Sequence, residues 1–375
     1  MIYFDHAATT PLTQEVKDAL HEYEDYFGNP SSQYSIGFET KEMINRARKQ
    51  IADSINCDPE NIYFTSGGTE GDNWAIRALR RPFKSRNKPV ISSIEHHAVT
   101  YAAAKLAEYK CLNVSEEGIM EPKHLEEVLA DTDLQQYGIV SIMMVNNEIG
   151  TIQPIKELAK VAHDHNMRFH TDAVQAVGHV PINVYDLGVN MLTVSGHKFG
   201  TPKGIGFNYI MPDIAVQPFI VGGSQQDKMR AGTENVPYIM AIAQAFETAN
   251  KCKNVQYVKE LKDYLWSKIR SEVPDALLNG SPIMRIESNI NVCFSGADAQ
   301  QLVAMMDNMH GVCISTGSAC NSGEATPSHV LKAIGLSDED ANSSIRITLG
   351  PDNNRSECDE FIKYLKYDLA VLRGD

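Results

Sequence analysis

A regular alternation of short apolar runs with longer amphipathic segments is the feature that most constrains how this chain folds. Between residues 61 and 210 the runs are rich in β-branched and aromatic residues, as buried strands are. Strands that are joined through a helix run parallel, so the alternation predicts a mainly parallel sheet with helices on both faces. The predicted strands are residues 61–66, 89–93, 138–146, 168–172, 190–195 and 204–210, and the clearest helices are residues 71–80, 97–109 and 155–165.

The pattern changes past about residue 251. Two long helical segments there flank three further strand-like runs. Strands and helices grouped in this way are typical of an α+β unit. The length of 375 residues suggests two or three domains, and the change of pattern favours a larger α/β domain and a smaller α+β domain. The helical segments are residues 255–272 and 355–372, and the strand-like runs are residues 288–295, 312–315 and 345–349.

The charge balance excludes some classes of function. Asp and Glu number 48 against 34 Lys and Arg, which gives a net charge of −14. A broad basic face for nucleic acid is therefore not expected, although this balance is compatible with a local site for a small anion. No apolar run reaches the roughly 18 residues that a membrane-spanning helix needs, and the first residues lack the basic and apolar regions of a signal peptide. We expect no membrane and no direct nucleic-acid partner.

The cysteines predict a reducing compartment. There are seven, they are scattered, and no two have Cys-x-x-Cys spacing. A chain of this size needs no disulfide framework, so a cytoplasmic protein is expected, in which one thiol can be kept for its chemistry. Cys320 is the best candidate, because small polar residues and two glycines surround it and suit an exposed loop that presents a nucleophile. Cys293 and Cys313 lie in apolar strands, where a free cysteine behaves as a small hydrophobic residue.

Polar residues follow four of the predicted strands. Ligands of open α/β sheets bind at the carboxyl ends of the strands, so these residues are expected to converge on one crevice. The glycine turn among them suits an anion, but alone it is equally well a plain strand-to-helix turn. The four groups are Ser66-Gly67-Gly68-Thr69-Glu70, Asn146-Asn147-Glu148-Ile149-Gly150, Asp172 with Gln175, and Ser195-Gly196-His197-Lys198.

Lys198 and Asp172 are the most informative of these residues when they are considered together. A desolvated lysine at the mouth of a sheet can lose its proton and form a Schiff base, although a surface lysine at a strand end is far commoner. A carboxylate near it can pair with a pyridinium nitrogen, although Asp172 is also well placed to cap a helix. The two residues together indicate pyridoxal phosphate chemistry more strongly than either residue alone.

His96 and Arg346 are candidates with ordinary alternatives. A histidine at a strand end can stack on a cofactor ring or move protons near neutral pH, yet position alone favours a structural role for His96. The neighbouring Glu95 and His97 do not face the same way on a helix, and no matching cluster exists elsewhere, so no metal site is expected. Arg346 lies in a strand and is suited to a carboxylate ligand, the alternative being a surface salt bridge.

A series of motifs occurs in order along nearly the whole chain, from residue 4 to about residue 350. They are Phe4-Asp5-His6-Ala7-Ala8-Thr9-Thr10-Pro11, Gly28-Asn29-Pro30-Ser31-Ser32, Thr65-Ser66-Gly67-Gly68-Thr69-Glu70, Glu95-His96, Asn146-Asn147-Glu148-Ile149-Gly150, His170-Thr171-Asp172-Ala173-Val174-Gln175, Ser195-Gly196-His197-Lys198 and Arg230-Ala231-Gly232-Thr233-Glu234-Asn235. The series is specific where each motif alone is not. With it the chain resembles the cysteine desulfurases of the class V aminotransferase superfamily, the type called NifS/IscS-like.

The resemblance implies fold type I of the pyridoxal-phosphate-dependent transferases, an α/β fold whose large domain has a mainly parallel seven-stranded sheet. It places residues 16–250 in this large cofactor-binding domain. Residues 1–15 and 251–375 would form the small α+β domain that carries the catalytic cysteine loop. The cofactor would be pyridoxal 5'-phosphate, the substrate L-cysteine, and the enzyme a homodimer.

The resemblance also implies a role for each matching residue. Lys198 would hold the cofactor covalently, Asp172 would pair with its ring nitrogen, and His96 would stack on the ring and act as an acid or base. The remaining residues would bind polar groups: Gln175 the ring oxygen, Asn147 the ring and the substrate, Arg346 the substrate α-carboxylate, and Gly68, Thr69, Ser195 and His197 the phosphate, which Thr233 of the partner subunit would complete.

The implied reaction converts L-cysteine to L-alanine and leaves a persulfide on Cys320. The sulfur would pass to an acceptor protein for iron–sulfur clusters, tRNA thiolation or thiamin. One alternative keeps the cofactor and is an aminotransferase, against which Cys320 argues, or a lyase that prefers selenocysteine, which stays open. Another is a non-catalytic scaffold, against which the joint retention of Lys198, Asp172, His96 and Cys320 argues.

Overall fold

A computed structural model describes residues 1–77, 88–106, 108–131, 137–212, 214–316 and 326–374. Its strands are β1 Ile2–Tyr3, β2 Ile62–Thr65, β3 Lys88–Ser92, β4 Lys110–Leu112, β5 Tyr137–Ser141, β6 Arg168–Asp172, β7 Met191–Ser195, β8 Gly206–Ile210, β9 Leu277–Leu278, β10 Asn289–Cys293, β11 Val312–Cys313 and β12 Ser344–Thr348. Its α-helices are α1 Gln14–Tyr23, α2 Ser35–Ile55, α3 Gly68–Arg77, α4 His97–Ala104, α5 Pro122–Leu129, α6 Ile155–Asp164, α7 Val184–Leu187, α8 Val236–Asn250, α9 Val255–Glu272, α10 Ala299–His310, α11 His329–Ala333, α12 Asp338–Asn342 and α13 Arg355–Arg373.

Seven strands form the main sheet, in the order β2-β8-β7-β6-β5-β3-β4. The pairs from β4 to β7 are parallel, and β8 is antiparallel to both of its neighbours. Adjacent strand residues pack into different apolar clusters, such as Val90 and Ile91 or Tyr209 and Ile210, so both faces of the sheet are covered. This confirms the predicted α/β class and the mainly parallel seven-stranded sheet.

Strand β4 was not predicted from the sequence. It has three residues at the edge of the sheet, and Lys110 and Cys111 are exposed. An edge strand that is mostly solvated lacks the continuous apolar run by which a buried parallel strand is recognised.

The predicted strand 138–146 was too long. β5 ends at Ser141, and the Asn146 side chain then organises a loop. Its Oδ1 accepts hydrogen bonds from the backbone N–H groups of Glu148 and Ile149, both at 2.9 Å. An asparagine that bonds its own following backbone favours a turn over a strand.

Helix α3 begins at Gly68, three residues before the predicted start at residue 71. The Ser66 N–H donates to Glu70 Oε2 at 2.8 Å, which closes the turn between β2 and the helix. Gly71 lets α3 lie close on the sheet, because a Cβ there would meet Asn208 Oδ1 at 2.2 Å and Thr193 Cγ2 at 2.5 Å. Gly68 and Thr69 are therefore in the first helical turn.

A second apolar cluster lies around the antiparallel sheet β12-β10-β9 and helices α9, α10 and α13. The N-terminal residues Ile2 and Phe4 belong to it, since β1 pairs with β11 and the Phe4 ring meets the Phe361 ring edge to face at 5.6 Å. The division into residues 16–250 and residues 1–15 with 251–375 remains a proposal. The cluster around the antiparallel sheet supports it, whereas a smaller cluster crosses the proposed boundary by joining Ile94, Met143 and Ile149 to Val330, Leu331, Ile334 and Ala341. In the described ranges, no helix has the length and apolar character needed to cross a membrane.

Candidate active site

Strands β2 and β7 lie on either side of β8 and end at the same level, because Thr65 and Ser195 both pair with Gly206 of β8. The glycine turn after β2 is consequently held against the end of β7. A Cβ on Gly68 would lie 2.9 Å from Val174 Cγ2, and one on Gly67, whose φ is +142°, would lie 3.3 Å from Ser195 Oγ. Only a backbone without side chains approaches so closely, which leaves the N–H groups of the first turn of α3 accessible to an anion.

Lys198 lies in a short 3₁₀ helix, Gly196–Lys198, directly after β7. Its side chain turns inward, and Nζ donates to the carbonyl oxygens of Ala7 at 2.7 Å and Ala8 at 2.9 Å. The Gln175 amide also donates to Ala7 O, at 2.9 Å. The N-terminal segment, Lys198 and Gln175 are thus tied together, and Lys198 is not a surface lysine at a strand end.

Asp172 ends β6 and is 4% exposed. Burial raises the pKa of its carboxyl group to about 6, against the lowering effects of the Val174 N–H, Lys198 and the Asp72 carboxyl. The Val174 N–H donates to Oδ1 at 2.8 Å, but residues 173–179 form turns rather than the helix that Asp172 was suited to cap. The groups hydrogen-bonded to this carboxylate, a backbone amide and another carboxyl, carry no positive charge.

His96 caps the N-terminus of α4, and its Nδ1 accepts the Ala98 N–H at 3.1 Å. Burial lowers the pKa of the imidazole to about 4, helped by the charges of Lys198, His97 and His329. The ring is therefore neutral at pH 7, and the cap assigns its proton to Nε2. Nε2 therefore carries the proton and is a hydrogen-bond donor in this arrangement. Before Nε2 could accept a proton, its own proton would have to move to Nδ1, which requires the cap to open.

His97 does not join His96 in a ligand set. Its ring stacks on Tyr101 with centroids 4.7 Å apart, and His329 lies at the same distance from it. His329 in turn has Nε2 2.9 Å from the backbone oxygen of Glu95. Within the described part of the chain, no three His, Cys, Asp or Glu side chains are grouped so as to hold a metal ion.

The remaining predicted phosphate ligands surround the same turn. Thr69 is exposed in the first turn of α3, and Ser195 lies at the end of β7. His197 Nδ1 is 3.2 Å from Thr9 Oγ1, and burial, with Lys198 and Lys203, lowers the pKa of the imidazole to about 4. His197 therefore presents a neutral ring at pH 7, and the positive potential near it comes from Lys198 and Lys203 together with the backbone N–H groups at the helix terminus.

Thr233 lies in a loop and its side chain is exposed. The loop is anchored three residues earlier by Arg230, whose Nε and Nη2 donate to Glu70 Oε1 and Oε2 at 2.9 and 3.0 Å. Burial raises the pKa of Glu70, but the bonds from Arg230 and Ser66 outweigh it and leave the pKa below its ordinary value. The loop that carries Thr233 is thus attached to the first turn of α3.

Arg346 of β12 is 2% exposed, so the surface salt bridge considered from the sequence is wrong. Its Nη2 donates to Asp5 Oδ1 at 2.7 Å and its Nη1 donates to the backbone oxygen of Asn147 at 2.9 Å. Its Nε is buried without a hydrogen-bond partner. An unsatisfied charged donor is costly to bury, so this guanidinium is held at a cost that a purely structural residue would not require.

Cys320 lies outside the described residues, within the undescribed range 317–325. The cysteines that the structure does describe are free, and burial raises the pKa of every one. The pKa reaches about 12 for Cys57 and Cys358 and about 11 for Cys293. None of these thiols is activated, since a nucleophilic cysteine needs a lowered pKa.

Sequence reasoning did not assign roles to Asp5 and Asp72. Asp5 lies in the first motif, but its contact with Arg346 spans 341 positions and leaves no local signal. Asp72 had a signal: it lies on the same helical face as Ala75 and Ile76, and all three are buried. A carboxylate in an apolar helical stripe is unusual enough to be singled out.

Comparisons with known proteins agree along the whole chain. Residues 2–361 match the family described as aminotransferase class-V. The chain is 42% identical over 381 residues to a protein named cysteine desulfurase IscS from Methanosarcina thermophila, covering 100% of this chain and 93% of that one. A protein of the same name from Dictyoglomus turgidum is 41% identical, covering 99% and 95%.

Solved structures give the same agreement. A NifS-like protein superposes with a TM-score of 0.90 at 30% identity, with 99% of each chain covered. The structure titled SspA in complex with cysteine superposes with a TM-score of 0.82 at 33% identity, covering 94% of this chain and 99% of that one.

Proposed function

The chain belongs to the aminotransferase class-V family, and we propose that it is a pyridoxal-phosphate-dependent cysteine desulfurase that uses Cys320 as its nucleophile. It converts L-cysteine to L-alanine and retains the sulfur as a persulfide. The full-length similarity to proteins named cysteine desulfurase supports this activity. The relative solved with cysteine supports L-cysteine as the substrate.

One observation carries the proposal. A buried carboxylate with no cationic hydrogen-bond partner, an inward-facing lysine and a glycine turn at a helix N-terminus meet at one edge of the sheet. These are the groups that pyridoxal phosphate requires for its ring nitrogen, its aldehyde and its phosphate. Asp172 would bind the ring nitrogen and Lys198 the aldehyde. The phosphate would be bound by Gly68, Thr69, Ser195 and His197. Gln175 and Asn147 would bind the ring, and His96 would stack on it.

The bound cofactor supplies an electron sink that stabilises negative charge at the substrate α-carbon. Arg346 binds the substrate α-carboxylate through its guanidinium group, which Asp5 and the Asn147 carbonyl hold in place. Lys198 Nζ and His96 each carry a proton in the site. His96 is neutral at pH 7, which avoids placing a second cation near Lys198.

Sulfur transfer is balanced between the substrate and Cys320. The Cys320 thiolate attacks the sulfur of L-cysteine, an S–S bond forms, and the C–S bond breaks. The electron pair of that bond remains on carbon, which takes up a proton and becomes the methyl group of L-alanine. The thiol is oxidised to a persulfide and the substrate carbon is reduced, so no external oxidant is needed.

The active form is a homodimer in a reducing cytoplasmic compartment. The exposed position of Thr233 supports the dimer, because it leaves this residue available to complete the phosphate site of the other subunit. Phe27 and Val221, which are 85% and 84% exposed, are large apolar side chains of the kind that a subunit interface covers. The free state of the described cysteines supports a reducing compartment. The persulfide then passes to an acceptor protein, as sulfur for iron–sulfur clusters or for thio-cofactors and tRNA.

The direct test is to incubate purified protein with L-cysteine and a reductant and to quantify alanine and sulfide. Wild type should give equimolar products, and Cys320→Ala should give none while keeping the bound cofactor. Cys111→Ala is the matched control, because Cys111 is an exposed thiol with a raised pKa and should be dispensable. Unchanged products from Cys320→Ala would reject the nucleophile, and products from selenocysteine alone would reject the substrate.

A further inference from the structure

A layer of buried polar side chains lies between helix α3 and the main sheet. Ser141 Oγ is 2.8 Å from His170 Nδ1, and His170 Nε2 is 3.0 Å from Thr193 Oγ1. These residues come from the neighbouring strands β5, β6 and β7. Asp72 enters the layer from α3 and is 1% exposed. A sheet covered by a helix normally buries apolar side chains on this face, so the polar layer requires a reason.

Asp72 contacts Asp172, the residue that pairs with the cofactor ring nitrogen in the proposed function. His170 and Asp172 lie two positions apart on β6 and therefore on the same face, and Asp72 Oδ1 is 3.8 Å from His170 Nε2, which brings the Asp72 and Asp172 carboxyl groups together in this layer. Two ionised carboxylates cannot hydrogen-bond to each other, so one proton is shared between them at neutral pH. Asp172 also accepts the Val174 N–H and lies near Lys198, both of which favour its ionised form. Asp72 has no cation against it, so the proton belongs to Asp72.

The groups that face Asp72 agree with this assignment. His170 Nε2 is 3.8 Å from Asp72 Oδ1, but burial lowers the pKa of His170 to about 3 and keeps the ring neutral. The Thr193 hydroxyl favours the ionised form of Asp72, but burial and the negative charge of Asp172 outweigh it. The pKa of Asp72 is consequently raised well above its ordinary value.

We propose that Asp72 is a positioning residue: as a neutral carboxylic acid it donates a hydrogen bond to Asp172 and holds that carboxylate toward the cofactor ring nitrogen. This inference rests on the proposed pairing of Asp172 with that nitrogen. The donated bond stabilises the ionised form of Asp172 without a competing cation. The charge of Asp172 therefore remains directed at the ligand, where an arginine or lysine in place of Asp72 would neutralise it.

The role makes a sharp distinction between two substitutions. Asp72→Asn replaces the acid O–H with an amide N–H, is nearly isosteric, and should keep the hydrogen bond. Asp72→Ala removes the donor, and we expect the affinity for pyridoxal phosphate to fall by about tenfold or more, since the lost hydrogen bond is made to a charged group. If Asp72 acted through a negative charge or a proton transfer instead, both substitutions would remove that role, and the affinity for pyridoxal phosphate would fall equally in the two variants.

The experiment resolves cofactor from the purified holoenzyme and retitrates it with pyridoxal phosphate, following visible absorption, for wild type, Asp72→Asn, Asp72→Ala and Asp172→Ala. Asp368→Asn is the control, because Asp368 is fully buried beside a histidine in the other apolar cluster, 3.1 Å from His310 Nε2. Denaturant unfolding of each apoprotein separates cofactor affinity from folding.

The expected order of affinity is wild type, Asp72→Asn and Asp368→Asn together, followed by Asp72→Ala and then by Asp172→Ala. Equal weakening in Asp72→Asn and Asp72→Ala would overturn the neutral-donor role. Wild-type affinity in Asp72→Ala would overturn any role for Asp72 in positioning. Wild-type affinity in Asp172→Ala would contradict the proposed function itself, which is a different failure. If Asp72→Ala does not fold, the comparison of Asp72→Asn with wild type still decides the first point.

Discussion

Asp172 on the main sheet and Arg346 on the antiparallel sheet β12-β10-β9 are both buried charged residues, and they are stabilised in different ways. Arg346, on β12, has a countercharge from its own chain in Asp5 Oδ1 at 2.7 Å. Asp172, on β6, is hydrogen-bonded to the Val174 N–H and the Asp72 carboxyl. Burial raises the pKa of Asp172 to about 6. The charge of Arg346 is thus balanced within the chain, whereas the charge of Asp172 would be balanced by a ligand with a positive group.

The difference follows from how long each ligand stays. A cofactor that remains bound supplies a lasting countercharge, so Asp172 needs only neutral groups to orient it. A substrate leaves in every turnover, and Arg346 then requires an anion to avoid an unpaired buried charge, which is costly. Asp5 is that anion.

Glu95 extends the comparison to a third buried ionisable group, and its substitution has the largest expected effect. Ser92 and the Met143 N–H bind its Oε1, while Oε2 has no partner. Burial raises the pKa of Glu95 to about 8. The folded protein therefore holds a proton that the unfolded chain releases above its ordinary pKa, and stability falls as pH rises toward 8.

We expect Glu95→Gln to remove this loss of stability at higher pH, because the glutamine side chain does not titrate. The difference in free energy of unfolding between the wild-type and variant apoproteins should move in favour of the variant by up to about 1.4 kcal/mol per pH unit between about pH 4.5 and 8. Denaturant titrations at several pH values measure it. Glu116→Gln, at an exposed carboxylate, is the control and should show no such trend. Parallel pH profiles for wild type and Glu95→Gln would reject the buried, protonated state.

Arg346→Gln should have the next largest effect. It removes the cation that we propose binds the substrate carboxylate and leaves Asp5 without its partner. We expect KM for L-cysteine to rise by about 100-fold, as for loss of a buried charge-assisted pair, with the cofactor still bound. Arg373→Gln is the control, because its partner Asp275 is 53% exposed and surface pairs contribute little. An unchanged KM in Arg346→Gln would remove Arg346 from the substrate site.

Asp5→Asn should have the smallest of these effects. The amide can still accept a hydrogen bond from Arg346 Nη2, but the countercharge is lost and the guanidinium is less firmly oriented. We expect KM to change by about tenfold or less, with kcat nearly constant, because the chemistry does not involve Asp5. A tenfold fall in kcat at constant KM would show that Asp5 acts in the reaction and would break the comparison.

Much of the fold and part of the site could be predicted because the relevant signals are local. Buried strands such as β6 are visible as apolar runs, and residues that end parallel strands share one edge of the sheet, which brings Asp172 near Lys198. The edge strand β4 lacked that signal. The pairs Asp5–Arg346 and Asp72–Asp172 join distant positions, and no spacing in the sequence shows that two such residues meet.

The most direct test of the account is to identify the lysine that holds the cofactor. Borohydride reduction of the purified holoenzyme fixes the cofactor to the residue that carries it, and mass spectrometry of the digested protein locates the label. The account predicts a single labelled site at Lys198 and no label at Lys203, which is exposed five residues further on. A label on another lysine, or stable cofactor binding without any label, would contradict it.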